Sequence, residues 1–574
     1  MPRKKAKRRF GNPAEPLRAG PPKAKAPNFW EARLLPVLER RSLALALCLI
    51  AIATFRIVAT YPETGLTFDE PGHMACGLQY LAQHVYRYEA QHPPLARVMS
   101  ALGPYLDGAR PLGVRNQDQE GVAVIYHDGH PFRTLTLMRL GILPFFLLAS
   151  LVVYFWAVRY FGGAVAVFAT GLFTMIPPVL AHAGLATTDM PLTACLSAAF
   201  FSLVLWAEKP TWKRSLLLGL TTALAVLSKF TALGFLPAAA VLALVLYLVV
   251  ERPGMKKLAA LAKQRAATFA LAALTGALVI WAAYSFSFGK VSGWSVPLPA
   301  PSLFEGVRFA MFHNDKGHAA YLFGEVRNTG WWYFFPVVLA LKTPIAFLLL
   351  LGSGTLVCWR KRAELACWLP LAFSLGILAT SMTSHVNIGT RHVLPVYVGF
   401  SIVAALALNQ LARWARAWKP AGTVAVLLVL WMAFSGAIHH PDYLAYFNEF
   451  VGDEPDKVLV DSDLDWGQDT VRLARRLRQL GVREVSFTIM NMRSDLLQAW
   501  PGLPPSKPIN PRIPAEGWTA VSPTFWKIRQ YGLYYRYRNF QPWFAYLTPV
   551  ERVGSFLLYY VPPGSLSPPA PPAR

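Results

Sequence analysis

Residues 42–73 read SLALALCLIAIATFRIVATYPETGLTFDEPGH. In this stretch an apolar run at 42–60, long enough to cross a hydrocarbon core of about 30 Å, is followed by the acidic pair Asp69 and Glu70. Ionised side chains are costly near hydrocarbon, and where they occur they tend to mark substrate or ion pathways. The stretch therefore predicts a membrane-spanning helix followed by a fixed anionic site at the membrane surface.

The acidic pair is predicted to begin a helix. Pro71 suits the first helical turn, so Asp69 and Glu70 fall at a helix N-terminus, where unpaired N–H groups and the helix dipole favour ionised carboxylates. One function for such a site is to accept a hydrogen bond or a proton from an attacking hydroxyl. The alternative is that Asp69 only caps the helix. Asp189, just before the apolar run that starts at Pro191, presents the same two possibilities in a second outer loop.

The composition indicates a polytopic membrane protein. Of the 574 residues, 54% are hydrophobic and only 15% are charged, which is too apolar for a soluble protein of this length. The sequence predicts an all-α membrane domain over residues 42–438 with about eleven membrane-spanning helices. The apolar runs lie at residues 42–60, 135–157, 163–181, 191–207, 214–228, 232–250, 266–286, 334–357, 364–381, 392–412 and 421–438.

The net charge of +25 is distributed in a way that favours membrane orientation over nucleic-acid binding. When the apolar runs are threaded alternately, the basic segments fall on the side of the N-terminus, which the positive-inside rule makes cytoplasmic. We expect a basic cytoplasmic tail at 1–41, long outer loops at 61–134 and 287–333, and a disordered Pro-rich tail at 562–574. The protein is predicted to lie in the cell inner membrane. The basic segments are 2–9, 208–214, 251–265, 360–362 and 413–419.

Past the last apolar run the sequence predicts a small extramembrane α/β domain at residues 439–561, on the periplasmic side. A predicted strand at 456–460 is followed by an amphipathic helix at 467–480, which stops at Gly481. A second strand is predicted at 484–490. A strand, a helix and a strand in this order are typical of an α/β unit.

Cations are predicted to face the same outer compartment as the acids. Lys342 lies inside an apolar run, where its burial is costly unless it meets an anion. Arg391 lies at the outer end of a later run, and its guanidinium suits a phosphate through parallel hydrogen bonds. An anionic base on one side and cations on the other form a layout suited to a lipid-phosphate leaving group.

Two further outer segments are candidates for contact with a sugar or an acceptor. Trp331 and Trp332 lie at a predicted membrane interface, where amphipathic rings are expected. Residues 461–469, DSDLDWGQD, alternate acids as calcium loops do, but they lack Gly at the sixth place and the chain lacks Glu at the twelfth. We interpret the segment as a strand-to-helix turn in which Asp465 and Trp466 contact the sugar or the acceptor.

No cofactor is expected. His73, His84 and His92 could in principle bind a divalent ion together with Asp69 or Glu70, but their spacing matches no standard site. The five cysteines show neither a disulfide framework nor a zinc spacing. A divalent metal remains the lesser alternative.

Four segments, taken together and in order, resemble the polyprenol-phosphate-sugar-dependent glycosyltransferases of the GT-C fold. The resemblance covers about residues 40–470 and is nearest to the protein O-mannosyltransferase-like enzymes and the bacterial lipid A aminoarabinose transferases. The segments are Asp69-Glu70, HPPL at residues 92–95, GWWYFFPVVLALKTP at residues 330–344 and NIGTRHVLP at residues 387–395.

The resemblance implies an inverting transfer of a monosaccharide from a polyprenyl-phosphate donor to a hydroxyl acceptor, which is a lipid, a glycan or a protein of the cell envelope. It implies that Asp69 contacts the acceptor hydroxyl and that Asp189 is the second outer-loop acid, with Glu70 as a further catalytic candidate. The residues implied to lie near the donor phosphate are His92, Arg97, Lys342, Arg391 and His392.

Several alternatives stay open. His92 fits the mannosyltransferase pattern and Arg97 departs from it, so the sugar is not assigned. A transporter or flippase for polyprenyl-phosphate sugars would also place Lys and Arg within the membrane, although it would not need a carboxylate aligned with an acceptor. A non-catalytic membrane assembly protein would account for the C-terminal domain but not for the ordered outer charges. The expected partners are the lipid-linked donor, the acceptor and the bilayer, without nucleic acid.

Overall fold

The computed structural model describes residues 33–415, 418–488, 502–529 and 540–565. Helices dominate up to residue 438, and the largest sheet lies beyond it. The helices are α1 Leu35–Arg40, α2 Ser42–Val58, α3 Glu70–Gln83, α4 Pro94–Leu106, α5 Gln117–Tyr126, α6 Pro131–Leu140, α7 Leu143–Phe161, α8 Gly163–Phe173, α9 Pro177–Ala183, α10 Asp189–Glu208, α11 Trp212–Ser228, α12 Ala232–Glu251, α13 Met255–Ala283, α14 Pro301–Lys316, α15 Phe334–Lys342, α16 Ile345–Arg360, α17 Leu365–Ser381, α18 Val396–Trp414, α19 Pro420–Ile438 and α20 Thr470–Gln479. The strands are β1 Phe288–Gly289, β2 Leu298–Pro299, β3 Ala320–Leu322, β4 Glu325–Arg327, β5 Val485–Thr488, β6 Ser506–Pro508, β7 Gly517–Val521, β8 Glu551–Val553 and β9 Phe556–Val561.

The predicted all-α membrane domain is confirmed, whereas the predicted number of eleven spans is not. Within the described ranges, six helices are long and apolar enough to cross a membrane, and up to eight spans result when each bent helix pair counts as one. Helices α2 and α17 are apolar but shorter than this criterion requires. The chain is a multi-pass membrane protein.

Two apolar segments bend sharply. Helices α8 and α9 meet at 70°, and α15 and α16 meet at 117°. A proline accompanies each break, since Pro177 begins α9 and Pro344 precedes α16. Proline has no N–H group with which to continue a helical ladder, so it favours a break at these points. The second bend places Lys342 at the end of α15, where its side chain is buried.

The predicted first outer loop, residues 61–134, folds into the helices α3, α4 and α5 and the first turn of α6. Helix α3 is clamped between its neighbours by two glycines. A Cβ atom on Gly77 would lie 2.1 Å from the carbonyl oxygen of Arg97 in α4, and a Cβ atom on Gly121 in α5 would lie 2.0 Å from that of Pro71. Because no side chain fits at either crossing, the backbones pack directly against each other. This packing fixes the start of α3, which follows Asp69.

The C-terminal region is α/β as predicted, but its first predicted strand, at 456–460, is wrong. Residues 455–457 form a 3-10 turn instead. The N–H groups of Lys457 and Val458 donate to the carbonyls of Glu454 and Pro455, each at 3.0 Å. A strand would direct such groups to a neighbouring strand, so the local bonds compete with sheet formation.

The other predicted elements of this region form. The predicted helix is α20, which starts at Thr470 and ends just before Gly481, whose φ of +66° suits the chain reversal. The second predicted strand is β5, and the end of that prediction, at 489–490, lies outside the described residues. Strands β5 to β9 form one sheet in the order β6-β5-β7-β9-β8, in which β5 runs parallel to β6 and β7.

Candidate active site

Asp69 lies at the N-cap position of α3, but its carboxylate does not cap the helix. No hydrogen bond joins its side chain to the N–H groups of the first turn. Instead, Nη1 of Arg391 donates to Oδ2 of Asp69 at 2.5 Å. The Asp69 side chain keeps 23% of its surface exposed. This geometry disfavours the capping alternative, because the carboxylate is held by a cation and remains accessible.

Asp189 forms a second ion pair behind the first. It is fully buried, and Nζ of Lys229 donates to its Oδ1 at 2.7 Å. The hydroxyl of Thr187 donates to Oδ2 at 3.2 Å. A buried carboxylate requires such partners, because an unpaired charge in the protein interior is strongly destabilising. Nη1 of Arg391 also lies 3.9 Å from Oδ2 of Asp189, so this arginine links the two acids.

A turn of the C-terminal region, residues 461–466, packs against Arg391 and the residue before it. The guanidinium carbon of Arg391 lies 4.2 Å from the ring centroid of Trp466, a distance suited to a cation–π interaction. Just before Arg391, the N–H and the hydroxyl of Thr390 donate to Oδ1 of Asp463 at 3.0 and 2.5 Å. The C-terminal region is therefore part of the site.

Two histidines, His73 in α3 and His92 just before α4, lie beside the ion pairs. The rings of His73 and His92 pack edge to face with centroids 5.1 Å apart. Burial lowers the pKa of His92 to about 4, with the charge of Lys229 acting in the same direction. Burial likewise holds the pKa of His73 well below its usual range. Both rings are therefore neutral at neutral pH and can offer a hydrogen bond without adding charge.

Glu70 is next to Asp69 in sequence, but its side chain is completely buried. Nε and Nη2 of Arg139 donate to its two carboxylate oxygens at 2.8 and 2.9 Å. The N–H groups of Thr67 and Ala186 also donate to this carboxylate, both at 2.9 Å. Because these bonds engage both oxygens, the carboxylate of Glu70 has no oxygen free for a substrate in this structure, which disfavours the predicted catalytic role.

Arg97 is buried in the first turn of α4, next to the loop that carries His92. It forms an ion pair with Glu89, and its Nη1 donates to the carbonyls of Glu89 and His92 at 2.8 and 3.1 Å. This predicted phosphate ligand is therefore occupied by protein groups. In this structure it holds the loop in place.

Lys342 is occupied in a similar way. Its Nζ donates to the carbonyl oxygens of Leu444 and Asp463 at 2.8 and 2.5 Å. It also lies 4.1 Å from the ring centroid of Phe447. These contacts join the end of α15 to the C-terminal region, so the ammonium group is not free for a phosphate in this structure.

The other predicted residues, His392, Trp331 and Trp332, differ in how far they are buried. The ring of His392 stacks on Phe335 with a centroid distance of 6.4 Å. Trp331 is buried, and its N–H donates to Oδ1 of Asn387 at 2.7 Å. Trp332 is 67% exposed. Only Trp332 has the open ring surface that contact with a sugar or the bilayer requires.

The side chain of Asp465 points towards residues 522–524 of the C-terminal region. Its Oδ2 accepts hydrogen bonds from the hydroxyl of Ser522 and from the N–H of Thr524, the latter at 3.1 Å, and the side chain is fully buried. The structure thus places Asp465 in a structural position, in contrast to Trp466. In the described part of the chain, no group of three or more His, Cys, Asp and Glu side chains is arranged to hold a metal ion.

Two residues of these ion pairs, Lys229 and Arg139, were not among the predicted site residues. Each is a cation within or beside an apolar run, where an isolated charge is costly. That signal predicts an acidic partner for each of them. The sequence does not reveal which acid pairs with which cation, because the partners come from distant helices.

The arrangement combines a base with positive charge. Asp69 can accept a proton from a hydroxyl, and Arg391 can neutralise an anion that forms nearby. Asp189 and Lys229 balance each other, so an incoming phosphate competes mainly with Asp69 for Arg391. A phosphate that bound Arg391 would therefore favour the release of Asp69.

Residues 134–281 match the model of the dolichyl-phosphate-mannose-protein mannosyltransferase family. The matched segment includes Arg139, Asp189 and Lys229. Over these residues the match supports the predicted resemblance to the protein O-mannosyltransferase-like enzymes. No curated protein matches the sequence directly.

Solved structures with similar architecture include ArnT from Cupriavidus metallidurans bound to undecaprenyl phosphate. The sequence identity is 13% and the TM-score is 0.47, with 89% of this chain and 97% of that chain covered. Another is the archaeal oligosaccharyltransferase AglB from Archaeoglobus fulgidus in complex with an inhibitory peptide and a dolichol-phosphate. Here the identity is 12% and the TM-score is 0.44, with 82% of this chain and 62% of that chain covered.

Proposed function

We propose that this membrane protein, which matches the dolichyl-phosphate-mannose-protein mannosyltransferase family over residues 134–281, is an inverting glycosyltransferase. It transfers a monosaccharide from a polyprenyl-phosphate donor to a hydroxyl of a lipid, glycan or protein of the cell envelope. The reaction takes place on the outer face of the cell inner membrane. The observation that carries the proposal is the accessible carboxylate of Asp69, paired with Arg391 and free of any capping bond.

The chemistry is a single displacement. The acceptor hydroxyl gives its proton to Asp69 while its oxygen attacks the anomeric carbon of the donor sugar. The bond between this carbon and the phosphate oxygen breaks, and the electron pair leaves on the lipid phosphate. Arg391 stabilises the developing negative charge through charge-assisted hydrogen bonds. Inversion follows because attack and departure occur on opposite faces of the sugar.

The remaining groups support this step. Asp189 and Lys229 form an ion pair next to Arg391, and this pair adds no net charge to the site. His92, which burial keeps neutral, can donate a hydrogen bond to a phosphate or sugar oxygen. Release of Lys342 or Arg97 from its present partners would add further positive charge at the donor phosphate.

The proposal is tested with purified protein in proteoliposomes that contain radiolabelled polyprenyl-phosphate sugars and a candidate acceptor extract. A transferase yields a labelled acceptor, a flippase only moves label across the bilayer, and an assembly protein does neither. We expect transfer, and we expect Asp69→Asn to lower it by about two orders of magnitude. Asp107→Asn, which changes an exposed acid of the same outer loop, is the matched control and should keep wild-type activity. Full activity of Asp69→Asn would refute the assignment of the base.

A further inference from the structure

The turn at residues 461–463 is tied to the segment that precedes Arg391. The hydroxyl of Ser462 donates to the carbonyl of Ile388, and the carboxylate of Asp463 accepts two hydrogen bonds from Thr390. A Cβ atom on Gly389, whose φ is +115°, would lie 2.7 Å from Oγ of Ser462. The turn and the Arg391 segment therefore form one packed unit.

Asp461, the first residue of this turn, has an uncommon backbone conformation and an unpaired carboxylate oxygen. Its φ is +64°, a left-handed backbone that is uncommon outside glycine, although Asp and Asn adopt it more readily than other residues. Its N–H donates to the hydroxyl of Thr524 at 2.8 Å, and its Oδ1 accepts from the N–H of Ser462 at 2.6 Å. Its Oδ2 is buried and has no hydrogen-bond partner. Leaving a carboxylate oxygen buried and unpaired is costly, so this atom calls for a functional explanation.

One donor of Arg391 is unpaired as well. Its Nε is buried and also has no hydrogen-bond partner. The guanidinium attracts the carboxylate of Asp461 electrostatically, as it does those of Asp69 and Asp189. The guanidinium group is a rigid fork of five donors, so it can bind more than one acidic partner.

We propose that Asp461 is a positioning residue that holds Arg391 when the substrates draw it away from Asp69. This inference rests on the proposed function, because it describes how the same site changes its ion pairs during the reaction. Oδ2 of Asp69 accepts from Arg391, so Asp69 must give up this bond before that oxygen can accept the hydroxyl proton. Asp461 makes that release possible because its carboxylate is a second anionic partner for Arg391. After Arg391 leaves Asp69, it binds either the phosphate or Asp461 and does not return to Asp69.

The test is Asp461→Asn in the proteoliposome transfer assay. Asparagine tolerates the left-handed backbone and keeps the oxygen that accepts from Ser462, so the change removes little besides the charge. We expect kcat to fall on the order of tenfold with the donor KM nearly unchanged, because fewer molecules have Asp69 released from Arg391. Asp456→Asn is the matched control, since Asp456 is a buried acid that pairs with Arg552 at 2.6 Å.

The pH profile provides a readout that a purely structural role would not change. Burial raises the pKa of Asp461 to about 7, against the opposing effect of Arg391, and the other charges that act on it are Asp69 and Asp463. Asp461 is therefore ionised above this pH and neutral below it. Wild-type kcat should rise between about pH 6 and 8 through this group, and Asp461→Asn should lack the rise.

A double variant separates the possible outcomes. If Asp461 acts through Arg391, Asp461→Asn should have no further effect in an Arg391→Gln background. An equal effect in both backgrounds would overturn the inference, as would wild-type kcat and pH dependence in Asp461→Asn. Lower recovery of folded Asp461→Asn with unchanged kcat per folded molecule would overturn it as well. A wild-type protein without transfer would refute the proposed function itself, whereas an active wild type with an unaffected Asp461→Asn refutes only this inference.

Discussion

Asp69 and Glu70 are adjacent in sequence, but their side chains lie in two different regions of the molecule. Asp69 is at the open mouth of the site, 23% exposed and bonded to Arg391. Glu70 is in the closed interior, where Arg139 and two backbone N–H groups engage both of its oxygens. Successive helical residues point about 100° apart, which is enough to direct one acid to the substrate and the other to the core.

The difference shows what separates a catalytic carboxylate from a structural one. Both acids are ion-paired with arginine, so pairing alone does not discriminate between them. Glu70 has saturated, buried contacts, and its charge cannot be removed without leaving Arg139 unpaired. Asp69 has a single arginine contact through Oδ2 and an accessible surface, so it can exchange partners. We therefore expect changes at Glu70 to affect stability and changes at Asp69 to affect activity.

The largest expected effect is that of Glu70→Gln. The change leaves the guanidinium of Arg139 buried without a countercharge, which should lower the free energy of unfolding by about 3–5 kcal/mol. Thermal unfolding of the purified protein in detergent measures this loss. A Glu70→Leu/Arg139→Met double variant removes both charges and should recover much of the stability. Unchanged stability of Glu70→Gln would show that the ion pair between Glu70 and Arg139 does not stabilise the fold.

The next effect separates Arg391 from Lys342. Arg391→Ala removes the only cation in contact with Asp69 among the described residues, and it should weaken donor use by about 2–4 kcal/mol. Lys342→Ala removes hydrogen bonds to two carbonyl groups, so it should lower stability more than donor use. Donor KM and kcat, measured beside thermal unfolding, distinguish the two variants. Wild-type donor dependence in Arg391→Ala would exclude it as a phosphate ligand.

The smallest effect comes from Gly77→Ala, which changes no charge. The added methyl group would lie 2.1 Å from the Arg97 carbonyl, so α3 must shift, at a cost of about 1–3 kcal/mol. Because the start of α3 follows Asp69, activity should fall together with stability. Gly254→Ala is the control, since a Cβ atom there has no neighbour within 4 Å. A fully active Gly77→Ala would show that the position of α3 does not matter to the site.

Local signals in the sequence predicted much of this architecture. The apolar runs identify the helices of the membrane domain because hydrocarbon permits few alternatives to a helix. The amphipathic pattern identifies α20, because apolar residues at helical spacing form one face that packs against the sheet. The strand at 456–460 was wrong because its residue types suit a strand, whereas turn bonds to Glu454 and Pro455 determine its conformation.

The site was predictable only in part, because local signals identify charged candidates but not their partners. Charged residues near apolar runs identified Asp69, Asp189 and Arg391 as candidates, because each needs a partner or a function there. The partners themselves depend on long-range packing: Lys229 is 40 positions from Asp189, and Arg391 is 322 positions from Asp69. No local pattern distinguishes these pairings from others, such as one between Asp189 and Lys342.

The most direct test of this account compares Asp69→Asn and Glu70→Gln in one preparation, with transfer measured per folded molecule and thermal unfolding measured in parallel. The account predicts that Asp69→Asn unfolds close to the wild-type temperature but transfers sugar about a hundredfold more slowly. It predicts that Glu70→Gln unfolds at a much lower temperature, whereas its surviving folded molecules remain active. Near-normal transfer by folded Asp69→Asn, or a hundredfold loss in folded Glu70→Gln, would contradict the assignment of the two acids.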